Sequence, residues 1–147
     1  MYQKILVATD GSTLSKKATA SAIALAQLHG ASLIAIKVIP RFTQTYFEGS
    51  IPVNMGEVDK IEKSWSDHAH KQLALVVKEA KAKQVEIKTV VVKSDSVSDA
   101  LIATAKKNKV NLIVMASHGR KGIKRLLLGS ETQQVLTHST IPVLVMR

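Results

Sequence analysis

The chain has 147 residues, 46% of them hydrophobic and none of them cysteine, which fits one domain with a real core and excludes disulfides and thiolate metal sites. Lysine and arginine number 21 against 11 acidic residues, a formal net charge of +10, so anionic partners are favoured. Aromatics make up only 3%, too few for a base-stacking nucleic-acid platform, and neither a membrane span nor a signal peptide is read, so a reducing, cytoplasmic setting is expected.

Strand-length apolar runs alternate with helical patterns along the chain. Lys4–Ala8 is the first strand. A helix follows, with Leu14, Ala18, Ala22, Leu25 and Ala26 on one face and Gly30 as its stop. Ser32–Val38 is the second strand. The stretch from Pro40 to Glu57 has no period; it holds Pro40, Gly49, Pro52 and Gly56, with Phe42, Tyr46 and Phe47 among them. Loops of that length are often functional, so it is either a lid or an ordinary surface excursion.

The second helix carries Ile61, Trp65, Ala69, Leu73, Val76 and Ala80 at three-to-four spacing. Glu86–Val92 is the third strand. The third helix opens at Ser96-Val97-Ser98-Asp99, a capping-box pattern, and buries Val97, Leu101 and Ala105. Leu112–Ala116 is the fourth strand. The last helix opens at Ser130, with Gln133 completing a second capping box, and ends before Pro142; Val143–Met146 is a short fifth strand. Near-continuous Val/Ile/Leu strands alternating with helices predict an α/β fold: an open, five-stranded parallel sheet, helices on both faces, joined by right-handed crossovers.

The most informative segment is Ala116-Ser117-His118-Gly119-Arg120-Lys121-Gly122, continuing to Gly129-Ser130-Glu131-Thr132. It leaves a buried strand and enters a helix. Ligands of open α/β sheets collect at the carboxyl ends of strands. A helix start there offers free N–H groups and a positive dipole end to phosphate. Neither a Walker A loop nor a GxGxxG fingerprint is present, so kinase and dehydrogenase readings are disfavoured.

In spacing, Ala116-x2-Gly119-x9-Gly129-Ser130 resembles the G-x2-G-x9-G-(S/T) motif of the ATP-binding branch of universal stress proteins, with Ala116 at the first glycine. Thr9-Asp10-Gly11-Ser12-Thr13-Leu14-Ser15 resembles that family's start, and Ile141-Pro142-Val143-Leu144-Val145 its end. The resemblance runs the length of the chain. It implies a Rossmann-like fold of the adenine nucleotide alpha hydrolase type. It implies that Ala8, Thr9 and Asp10 approach adenine and ribose, and that Val38 contacts adenine. Ala116 through Gly122 would wrap ribose and phosphates. Gly129, Ser130, Glu131 and Thr132 would cradle phosphates. ATP is the implied ligand, with Mg²⁺ as a possible companion, in a stress-response or signalling module with little or no hydrolysis. The implied assembly is a homodimer paired antiparallel through Val143–Met146, whose apolar edge invites pairing.

Each site residue also has a plainer reading. Ser130 is a helix N-cap whatever else it does. Asp10 is either a turn residue before the first helix or a ligand contact. A carboxylate beside a triphosphate repels it, so Glu131 is expected to face solvent and favour its helix dipole; otherwise Mg²⁺ or the basic run Arg120, Lys121, Lys124 and Arg125 offsets it. His118 has no partner at a catalytic spacing and is expected to brace backbone. His68 and His70 face different directions and are not read as metal ligands. The alternative function is a nucleotide-free stress protein acting through dimerisation and protein contacts. A nucleic-acid role rests on charge alone, since no such signature is present.

Overall fold

The computed structural model describes residues 1–41, 54–119 and 127–147. Elements follow in the order β1 (Lys4–Ala8), α1 (Thr13–His29), β2 (Ser32–Ile39), α2 (Met55–Ala82), β3 (Ile87–Lys93), α3 (Val97–Lys107), β4 (Leu112–Ala116), α4 (Ser130–His138) and β5 (Val143–Met146). All strand pairs are parallel, in the order β3-β2-β1-β4-β5. The five-stranded parallel α/β architecture expected from the strand–helix alternation is therefore present. The second strand runs one residue further than expected, and α2 begins inside the segment read as loop, where the Asn54 side chain accepts from the Gly56 N–H. Phe42, Tyr46 and Phe47, the residues of the lid reading, lie outside the described residues.

Successive strand residues point to opposite faces, and the core divides accordingly. Ile5, Val7, Leu33, Ala35, Leu112 and Val114 pack against Ala18, Ala22 and Ala26 of α1 and Leu73, Val76 and Ala80 of α2. Leu6, Ile34, Ile36, Ile113 and Met115 pack against Leu101 and Ala105 of α3 and Val135 of α4. Both strand faces are buried, which is why the strands read as unbroken apolar runs. The expected core positions Leu101 and Ala105 are fully buried, and Val97 is half-buried beside them.

The first three helices end alike. Ala31, Val85 and Val110 donate backbone N–H groups to the carbonyls of Ala26, Ala80 and Ala105. The residue before each, Gly30, Gln84 or Lys109, has a left-handed φ of 62°, 57° or 55°. This is the Schellman turn, in which an apolar residue beyond the turn covers the alanine one turn back. It aims each chain directly into the next strand.

The strand order creates the site. From β1 the chain moves outward to β2 and β3, with α1 and α2 on one face. It then returns to the other side of β1, with α3 and α4 on the opposite face. Between β1 and β4 the connections diverge, and a crevice opens at their carboxyl ends.

Candidate functional site

That crevice is a cleft with a volume of about 170 Å³, open to solvent at its mouth, at a place in the sheet where open α/β folds bind ligands. Its lining includes Ala8, Thr9, Asp10, Val38, Ala116, His118, Gly119, Glu131 and Thr132, all singled out in the sequence. Ile36, Leu101, Met115 and Val97 form an apolar wall, and Ser15 and Lys37 complete the polar side. Those six were missed because each resembles an ordinary core, helix or strand residue until the sheet order brings it to this edge. Arg120, Lys121 and Gly122 lie outside the described residues. Ser117, Gly129 and Ser130 are described but do not line the cleft.

Asp10 is fixed by the start of α1. The Ser12 backbone N–H donates to its Oδ1 at 2.8 Å. Ser12 in turn caps α1, its Oγ accepting from the Ser15 N–H at 3.2 Å. Asp10 is thus both the turn residue and a cleft-lining carboxylate. Burial alone would raise its pKa; hydrogen bonds from Ser12 and Ser15, with the positive charge of Lys37, outweigh burial and hold it below the usual carboxylate value. Asp10 therefore presents a charge at neutral pH.

Gly119 faces that carboxylate. A Cβ built on Gly119 would stand 2.7 Å from Asp10 Oδ2, closer than nonbonded atoms approach. A glycine at this spacing is thus needed by the protein's own Asp10, before any ligand is considered. Gly129 has a similar constraint, with a Cβ there standing 3.3 Å from the Ser117 carbonyl oxygen and from His118 Cα. Its N–H donates to the Ser117 carbonyl at 2.7 Å. The two ends of the glycine-spaced segment are thereby held together at the end of β4.

Thr132 tightens this junction. The residue is buried, and its hydroxyl donates to the carbonyls of Ala116 and Ser117 at 3.0 and 3.1 Å. The side chain expected to cradle phosphate is committed to the backbone of β4. Ser117 is also drawn inward: its N–H donates to the Met146 carbonyl, and its Oγ lies 3.1 Å from His118 Nδ1. His118 lines the cleft and is braced by the neighbouring serine.

One expectation about the last helix is corrected and another is refined. Gly129, not Ser130, is the N-cap of α4, and no side chain caps the helix; Ser130 is its first helical residue. The close packing of Gly129 on Ser117 and His118 sets where the helix begins, and Gln133 reaches the Leu128 carbonyl instead of closing a box. Glu131 is exposed, as expected, but its carboxylate also has a partner on another helix. Its Oε2 accepts from the Ser98 backbone N–H at 3.0 Å, placing the carboxylate on the N-terminus of α3 and on the cleft wall. The carboxylate there satisfies an orphan N–H and sits at the positive end of a second helix dipole.

The arrangement offers an apolar slot for a planar group, an ionised Asp10 beside it, and the first-turn N–H groups of α4 at its rim. Among the described residues, no three His, Cys, Asp or Glu side chains gather as a metal site. No described helix is long and apolar enough to cross a membrane.

The model of the universal stress protein family matches residues 1–147. The chain is 32% identical to universal stress protein YxiE of Bacillus subtilis, over all of both chains. The solved structure of MJ0577, a universal stress protein of Methanocaldococcus jannaschii, superimposes with a TM-score of 0.84 at 27% identity, over 99% of this chain and 96% of that one. A universal stress protein solved in complex with cAMP superimposes with a TM-score of 0.72 at 28% identity, over 99% of this chain and 97% of that one.

Proposed function

The chain belongs to the universal stress protein family, and on that premise we propose that it is an adenine-nucleotide-binding stress or signalling module. The observation that carries this reading is the cleft between β1 and β4. It gathers Ala8, Thr9, Asp10, Val38, Ala116, His118, Gly119, Glu131 and Thr132 from separate parts of the chain. The similar protein solved with cAMP supports it. In this reading adenine lies against Ile36, Val38, Leu101 and Met115, and ribose lies by Asp10. Phosphate meets the start of α4, where Gly129 permits close packing. ATP, implied by the motif spacing, is one member of the ligand class.

Binding rather than turnover is the proposed activity. The two carboxylates on the described wall, Asp10 and Glu131, are each engaged by a backbone N–H of a helix start, a structural commitment that fits holding a ligand better than phosphoryl transfer, which depends on positioned groups. We also propose a homodimer formed through β5.

Mass spectrometry of small molecules released by heat from the natively purified protein tests the reading. An adenine nucleotide should appear, and should be lost in Gly129→Val combined with Ser130→Ala. No released nucleotide and no calorimetric affinity for any adenine nucleotide would instead support the alternative, a nucleotide-free member acting through protein contacts. The Glu131 carboxylate on the cleft wall is the observation that favours that second reading.

A further inference from the structure

The strand ends remote from the cleft form a second pole of the molecule. Backbone bonds tie its turns side by side: the Ser32 N–H donates to the Gln3 carbonyl, the Leu33 N–H to the Glu86 carbonyl, and the Asn111 N–H to the Lys4 carbonyl. All four helices, α1 to α4, end there. So do six exposed lysines: Lys81 and Lys83 where α2 stops, Lys88 at the start of β3, and Lys106, Lys107 and Lys109 where α3 stops. The half-buried Lys4 stands among them. Glu86 is the one acidic residue of these turns; Glu79, one helical turn back, is matched by Lys78 next to it in the chain.

Lysines at helix C-termini suit the dipole, which is the plainer reading of this cluster. The dipoles are too small to account for all of it. Each helix end carries about half a negative charge, so about two lysines would balance the four ends and one more would balance Glu86. Among the described residues, none of the six lysines makes an ion pair. A clear positive excess therefore stands at this pole. Residues 42–53 and 120–126, outside the described ones, join elements at the opposite pole and contain one acidic residue, Glu48. They cannot reverse the sign.

The chemistry of the pole narrows its anionic partner. Its cationic side chains are all lysine, a hydrated point charge, whereas arginine is the residue that grips single phosphates and nucleic acids through paired donors. The pole presents helix carbonyl ends, not the N–H ends that position nucleic-acid phosphates. Met1 and Leu28, 97% and 78% exposed, are the most exposed large apolar side chains among the described residues, and both stand here. Lysines around protruding apolar groups suit a surface that is charged outside and apolar just beneath. We propose that this pole is a reversible docking surface for an anionic lipid bilayer, which it touches without crossing. The lysines supply the attraction, each strengthening binding about fivefold near an anionic leaflet. Leu28 and Met1 add shallow contact with the acyl boundary. The cleft opens at the other pole, so a docked molecule keeps its ligand entrance turned to solvent.

Co-sedimentation of the purified protein with vesicles tests the proposal. The protein should pellet with equal parts phosphatidylglycerol and phosphatidylcholine, not with phosphatidylcholine alone, and should be released as salt rises. The combined variant Lys81→Gln, Lys83→Gln, Lys106→Gln and Lys107→Gln should bind at least about a hundredfold more weakly. Removing as many exposed lysines elsewhere, by Lys17→Gln, Lys60→Gln, Lys63→Gln and Lys71→Gln, should weaken binding by less than about tenfold, because those charges stand farther from the leaflet than salt lets them act. Equal losses in the two variants would assign the attraction to net charge and overturn the proposal. So would failure of the natural protein to pellet with the anionic vesicles at low salt, or binding of duplex DNA or RNA in place of vesicles, which would make the pole a nucleic-acid surface. If the pole variant unfolds, amine acetylation of the natural protein decides. Anionic vesicles should shield Lys83, Lys106 and Lys107 but not Lys60 and Lys63; uniform shielding, or none, overturns the proposal.

Discussion

Asp10 and Gly119 behave as one unit in this cleft. The carboxylate is held by Ser12 and sits where a Gly119 side chain would be. Its folded pKa is lowered, so its ionised form stabilises the fold above the unfolded carboxyl's value of about 4, and that contribution is lost as pH falls through the lower folded value. Asp10→Asn should therefore unfold at lower urea than the natural protein at neutral pH. The two midpoints should converge on the acid side; a gap independent of pH would refute the assignment. Gly119→Ala pushes the Asp10 carboxyl off the position where Ser12 holds it. It should lose about 1–3 kcal/mol of stability, the size of a hydrogen bond to a charged group, and adenine-nucleotide affinity should fall with it. Thermal melting and calorimetry on the same sample separate the two effects.

At the scale of elements, the repeated helix ending explains how α1, α2 and α3 each lead into a strand. Alanine at the last core position leaves room for Ala31, Val85 or Val110 to fold back over it. Only the first of the three uses glycine at the left-handed position; Gln84 and Lys109 adopt that conformation with a Cβ. The left-handed region costs a residue with a Cβ roughly 1–2 kcal/mol, partly offset by the entropy glycine loses on folding. Gln84→Gly and Lys109→Gly should each stabilise the fold by about 0.5–1 kcal/mol, and the gains should add because the sites are separate. Chemical denaturation of the single and double variants measures this; destabilisation would mean that the side chains make contacts that matter more than the turn.

For the whole molecule, the exposed edge of β5 is the open question of assembly. The Ile113 N–H bonds to the Pro142 carbonyl, and the Ser117 N–H to the Met146 carbonyl. In a parallel ladder, alternate residues bond to the same neighbour, so Val143 and Val145 direct their backbone groups away from β4. Leu144 is also 37% exposed. Val145→Pro removes an outward N–H at an edge position, where proline is tolerated, without removing a bond to β4. Sedimentation equilibrium should show a dimer for the natural chain and a monomer for Val145→Pro with unchanged circular dichroism. A natural chain that is monomeric at micromolar concentration refutes pairing through this edge.

Much of this molecule could be read from residues close together in the chain. Unbroken runs such as Lys4–Ala8 and Leu112–Ala116, alternating with helical periods, determined a parallel sheet covered on both faces, because only strands buried on both sides have that pattern. Ser96, three residues from the N–H its side chain accepts, was legible as a local signal, and so was the glycine spacing, whereas the matching cap at Ser12 was passed over. Ser130 was misread locally because the helix start is set by Gly129 packing on β4. The contacts that give the cleft its chemistry are not local at all. Gly119 meets Asp10 from the far end of the chain, and Glu131 meets the N–H of Ser98 on another helix. Only the return of the chain past β1 to β4 creates those meetings. Whether an exposed carboxylate finds an orphan N–H depends on which helix end stands beside it, and that is a property of the sheet order, not of neighbouring residues.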